Sequence, residues 1–103
     1  MTAPIPLLRV VVLVSGRGSN LMAIAARADA GELPVRIEAV VSDRADAGAL
    51  EWARGRGIPT SVLSPRNFPD REAYGRALGD IVESHAPQLV VLAGFMRILS
   101  DEF

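Results

Sequence analysis

An unbroken apolar run that turns through two glycines and enters a helix-like stretch constrains this chain more than any other feature. Residues 11–24 read VVLVSGRGSNLMAI. The β-branched run reads as a strand buried on both faces, and Ser19 and Asn20 stand where the pattern marks a helix start. Strand, glycine turn and helix, in that order, present backbone N–H groups to a phosphate. The open point is whether that phosphate belongs to a dinucleotide, a triphosphate or something smaller.

The rest of the chain repeats the alternation. Apolar runs at residues 7–15, 35–43, 59–63 and 88–95 predict four strands. Ala-rich or amphipathic stretches at residues 20–31 and 45–57 predict two helices, with Gly31 and Gly57 as their stops. Asp70 is a good N-cap for a third helix, in which Tyr74, Leu78, Ile81 and Val82 form one apolar stripe before Pro87. Strands separated by helices imply an α/β, Rossmann-like, doubly wound parallel sheet built from right-handed βαβ units, with strand order 3-2-1-4. Ser100-Asp101-Glu102 reads as the start of a further helix. Residues 1–103 are therefore expected to be the N-terminal, nucleotide-binding part of a single longer domain, cut after its fourth strand.

Composition narrows the chemistry. The chain has 103 residues, a formal net charge of −1 and no cysteine, which excludes disulfides, thiolate zinc sites and thiol nucleophiles. Every basic side chain apart from His85 is an arginine, so Schiff-base and P-loop-lysine chemistries are excluded too. No block of like charge suggests a nucleic-acid tract, and no apolar stretch approaches a membrane span. The N-terminus lacks the basic and apolar regions of a secretory signal, so a cytoplasmic protein is expected.

The glycine loop decides among phosphates. A dinucleotide fingerprint needs a third glycine where Leu21 stands, although Asp43 could imitate the ribose-binding acid. A Walker A loop needs the missing lysine. What remains is a short loop feeding a helix N-terminus, suited to a monophosphate, with Gly18, Ser19 and Asn20 as its residues. Ser19 or Asn20 acting only as a helix cap is the alternative. In a 3-2-1-4 sheet the loops after strands one and four flank one crevice, which favours a ligand site. Met96, Ile98 and Leu99 would then wall the far side against a flat ring, unless they pack under a following helix.

SGRGSNL (15–21), SDRADAGALEWA (42–53), DREAY (70–74) and VVLAGFMRILS (90–100) occur in order from about Val10 to Phe103. In these motifs the chain resembles the phosphoribosylglycinamide formyltransferases. The resemblance implies transfer of a formyl group from 10-formyltetrahydrofolate to the amine of 5′-phosphoribosylglycinamide, in purine biosynthesis. It implies that Gly18, Ser19 and Asn20 bind the ribonucleotide phosphate, that Arg71 lies on the folate side, and that Met96, Arg97, Ile98 and Leu99 border the pteridine. It also implies an Asn and a His in an N-x-H-P-S segment, with a later Asp, as the catalytic groups. No such segment occurs in these residues, so the 103-residue chain alone is expected to be inactive, and no catalytic or metal-binding residue is assigned. His85 reads as a helix-end residue and Trp52 has no evident catalytic use.

Partners are expected to be small molecules, with no nucleic acid or membrane; a homodimer is left open. Formyltetrahydrofolate deformylase and methionyl-tRNA formyltransferase share the implied fold, but by resemblance lack the Gly-Ser-Asn loop. A non-catalytic nucleotide-binding module of the NAD type, or a domain acting only through protein contacts, are the alternatives outside the family.

Overall fold

The structure, a computed structural model, describes residues 7–93. Four strands, β1 (Leu8–Val14), β2 (Val35–Ser42), β3 (Thr60–Val62) and β4 (Leu89–Leu92), form one parallel sheet. Their order is β3-β2-β1-β4, as expected. Three helices connect them: α1 (Ser19–Asp29), α2 (Gly48–Gly55) and α3 (Arg71–Ser84).

Right-handed crossovers explain where the helices lie. The chain steps from β1 to β2 to β3 in one direction, then reverses to reach β4, so α3 must cover the opposite face. The core divides accordingly. Val10, Val12 and Val14 pack with Leu21, Ala49, Leu50 and Ala53 from α1 and α2. Val11 and Leu13 pack with Tyr74, Leu78 and Val82 from α3. Each fully buried valine or leucine of β1 contributes about 1.5–3 kcal/mol by leaving water.

Local chemistry sets the helix ends. The Asp70 carboxylate accepts a hydrogen bond from the Ala73 N–H at 2.8 Å, so the predicted cap is realised. The Tyr74 hydroxyl donates to the Leu63 carbonyl at 2.9 Å, tying α3 to the end of β3. Gly31 (φ +78°) and Gly57 (φ +73°) stand just past α1 and α2 in the left-handed region, where glycine costs least. His85 is the C-cap of α3. Trp52 is half-buried against the α1–α2 core, and the Arg56 guanidinium lies 5.1 Å from its ring centroid. Arg56 also reaches Asp29 at 2.6 Å, which joins α2 to α1.

One helix start and one strand register differ from the simple pattern. The helix predicted from residue 45 begins at Gly48, because the preceding turn satisfies its own backbone. There the Arg44 N–H donates to the Ser42 Oγ at 3.0 Å, and the Ala47 N–H donates to the Arg44 carbonyl at 3.3 Å. In β2 the register against β1 jumps between Val10 and Val11, from Ile37 to Ala39, which leaves Glu38 as a bulge. Ile37 consequently packs on the α1–α2 face while Ala39 packs on the α3 face. Among the described residues no helix is long and apolar enough to cross a membrane.

Candidate functional site

The carboxyl ends of β1 and β4 are neighbours, with Leu13 paired to Leu92 and the Ala93 N–H donating to the Leu13 carbonyl at 2.9 Å. This is the switch point of the sheet, where crossovers leave in opposite directions and open a crevice. A cleft of 390 Å3 lies there, lined by Ser15, Gly16, Arg17, Gly18, Ser19, Asn20, Arg44 and Ala93. The loop after β1 and the residue after β4 thus share one cleft.

The loop is shaped by close contact with α2. Gly18 is buried with φ +84°, and a Cβ built on it would lie 2.6 Å from the Ala49 Cβ. The Ala49 N–H donates to the Gly16 carbonyl at 3.2 Å, so the start of α2 holds the loop's backbone. Gly18 is the N-cap of α1, and among the described residues no side chain caps that helix. Ser19 and Asn20 are its first two residues and both are exposed, which overturns the reading that either one is the cap. A cap must stand outside the helical turn, and the left-handed glycine occupies that position.

The first hydrogen bond of α1 runs from the Met22 N–H to the Gly18 carbonyl at 2.8 Å. The N–H groups of Ser19, Asn20 and Leu21 precede it and have no carbonyl four residues back within the helix. No acidic residue stands in the first turn to use up the positive end of the dipole. Among the described residues the cleft lining has two arginines and no carboxylate. Helix amides without intrahelical partners and two arginines therefore put positive charge on this cleft.

Leu21 explains why the dinucleotide fingerprint breaks. It is fully buried among Val10, Val12, Val14 and Leu50, filling the helix-to-strand space that a third glycine would leave open. Asp43 is buried and does not line this cleft; it lines a neighbouring one of 690 Å3 with Arg44, Asp46, Ser64 and Arg66.

Gly18, Ser19 and Asn20 are therefore brought together. Arg71 begins α3, is exposed, and is not among the residues lining the cleft. Met96, Arg97, Ile98 and Leu99 lie outside the described residues. Arg44 was not singled out from sequence, although it stands just beyond the carboxyl end of β2, the edge at which parallel sheets bind ligands. Among the described residues no group of three or more His, Cys, Asp or Glu gathers into a metal-binding cluster.

Comparison with known proteins adds to this geometry. A family profile described as formyl transferase matches residues 8–103. Phosphoribosylglycinamide formyltransferase from Escherichia coli is 48% identical over 96 residues, covering 93% of this chain and 45% of that protein. The chain thus spans less than half the length of that relative. Among solved structures, phosphoribosylglycinamide formyltransferase from Coxiella burnetii superposes with a TM-score of 0.87 at 42% identity, over 91% of this chain and 44% of the other. Glycinamide ribonucleotide transformylase 1 from Symbiobacterium toebii gives a TM-score of 0.88 at 40% identity, over 93% and 45%.

Proposed function

This chain belongs to the formyl transferase family, and from that membership we propose that it forms the N-terminal, nucleotide-binding part of a phosphoribosylglycinamide formyltransferase domain. The reaction moves the formyl group of 10-formyltetrahydrofolate onto the amine of 5′-phosphoribosylglycinamide. The observation that carries the reading is the N-terminus of α1, which has no side-chain cap and opens, among the described residues, into a cleft lined by two arginines and no carboxylate. A phosphate monoester dianion fits that end by charge and by hydrogen-bond count.

In this reading the N–H groups of the Gly18–Asn20 segment hold the phosphate and so fix one end of the nucleotide. Binding energy at that remote end orients the amine for attack on the formyl carbon. Arg71 and the Met96–Leu99 strip serve the folate side. Proton removal from the amine and stabilisation of the tetrahedral oxyanion need groups that the family resemblance assigns to an Asn, a His and an Asp. No Asn-x-His-Pro-Ser segment occurs in the 103 residues, so their share of the work is binding. Both substrates are small and water-soluble, which suits a cytoplasmic enzyme.

Calorimetric titration tests the reading. The chain is expected to bind 5′-phosphoribosylglycinamide saturably and to give no saturable signal with NAD; the reverse pattern would overturn it. In a formyl-transfer assay the 103-residue chain is expected to show no turnover, and measurable turnover would overturn the division of labour.

A further inference from the structure

Arg17 and Arg44 are the cationic side chains of the cleft, and the function above gives neither a role; Arg44 is the one whose place is fixed by hydrogen bonds. Its position is fixed from both sides, since its N–H donates to the fully buried Ser42 and its carbonyl accepts from Ala47. Its guanidinium is turned onto Asp46 through two bonds, Nε to Oδ1 at 3.2 Å and Nη2 to Oδ2 at 3.1 Å. Both side chains are more than half exposed, at 58% and 73%, so the pair is weak and readily exchanged. Arg44 lines the Gly18–Asn20 cleft while Asp46 lines only the neighbouring one, so the arginine stands on the wall between them.

We propose that Arg44 is a positioning and specificity residue for the phosphate: its guanidinium leaves Asp46 and closes on the phosphate monoester held by the helix amides. The proposal rests on the phosphate site described above. Phosphate offers the fork of N–H donors a bidentate partner with more charge than a carboxylate. Asp46 acts as a stand-in anion that keeps the fork ordered in the empty protein and competes with the ligand for it. The backbone amides recognise an anion of any kind, whereas a second, charged, two-pronged contact favours a phosphate dianion over a carboxylate or a neutral sugar hydroxyl.

The test measures 5′-phosphoribosylglycinamide binding to the chain by calorimetry. Arg44→Gln is expected to weaken binding about tenfold or more, in line with loss of a charge-assisted bond. Arg44→Lys, which keeps the charge but not the two-pronged fork, is expected to recover only part of that loss. Asp46→Asn is expected to tighten binding by up to about fivefold, an effect that vanishes in the Arg44→Gln background. Arg36→Gln, on β2 away from the cleft, serves as the charge control and is expected to change nothing. Melting temperatures of all variants identify any that fail to fold. If the parent chain binds and Arg44→Gln binds within twofold of it, the role of Arg44 is overturned while the phosphate site stands. Weaker binding by Asp46→Asn overturns the competition. A folded parent chain that binds no phosphoribosylglycinamide overturns the site itself.

Discussion

Gly18 and Ala49 approach so closely that the first cannot carry a side chain: a Cβ on Gly18 would lie 2.6 Å from the Ala49 Cβ. The contact joins the turn after β1 to the first turn of α2, at a residue whose φ of +84° already disfavours any other amino acid. Gly18→Ala is expected to cost about 2–4 kcal/mol, combining left-handed strain with overpacking. Urea denaturation measures it. The double variant Gly18→Ala/Ala49→Gly relieves the steric part alone, so it is expected to recover part of the loss.

Leu21 replaces the glycine that a dinucleotide loop would need, and its side chain is fully buried in the α1–α2 core. Leu21→Gly therefore restores the spacing of the fingerprint at the expense of a cavity. A loss of about 3–5 kcal/mol is expected from the cavity and the helix glycine together, with no gain in NAD affinity. Thermal melting and NAD titration read the two outcomes. Saturable NAD binding by this variant would show that the loop was one residue away from a dinucleotide site.

Ser19→Asp separates stability from binding. The first turn of α1 holds no acidic residue, so a carboxylate at its first position complements the dipole and is expected to stabilise by about 0.3–1 kcal/mol. The same carboxylate repels the phosphate and occupies its donors, so affinity for 5′-phosphoribosylglycinamide is expected to fall more than about tenfold. Ser19→Ala, which leaves the backbone N–H in place, is expected to change affinity only severalfold. Loss of stability in Ser19→Asp without loss of binding contradicts the anion site.

Asp70 and Tyr74 anchor α3 by different means. Removing the cap with Asp70→Ala is expected to cost about 1 kcal/mol, because the Ala73 N–H loses its 2.8 Å partner. Tyr74→Phe removes the donor to the Leu63 carbonyl, bonded at 2.9 Å, and is expected to cost about 0.5–1.5 kcal/mol. Both losses appear in equilibrium denaturation and both leave phosphate binding unchanged, since neither residue lines the cleft.

The sheet order and the three helices were legible because β1, β2 and β4 each hold a run of consecutive apolar residues and a Gly or Pro stands just past each helix. Asp70, Gly31 and Gly57 carry their conformations in their side chains, or in lacking one. The start of α2 was not legible. Ser42 and Arg44 satisfy each other across a turn, and that local bonding displaces a helix that Ala45 and Ala47 would otherwise support. The Glu38 bulge was hidden as well, since a single extra residue changes which face is buried without changing composition. At the site, the glycine pattern revealed the loop, but not that Gly18 itself takes the cap position. Arg44 was not legible because the turn that holds it, bonded from Arg44 to Ser42 and from Ala47 to Arg44, stands where the pattern predicts a helix start.

The bond from the Ala49 N–H to the Gly16 carbonyl ties the glycine loop to the second helix. Thermodynamic linkage then works in both directions. An occupant of the cleft is expected to slow amide hydrogen exchange at Ala49 and its neighbours, which stand one contact behind the lining residues. Conversely, anything that frays the second helix lowers the affinity of a loop it never touches in sequence.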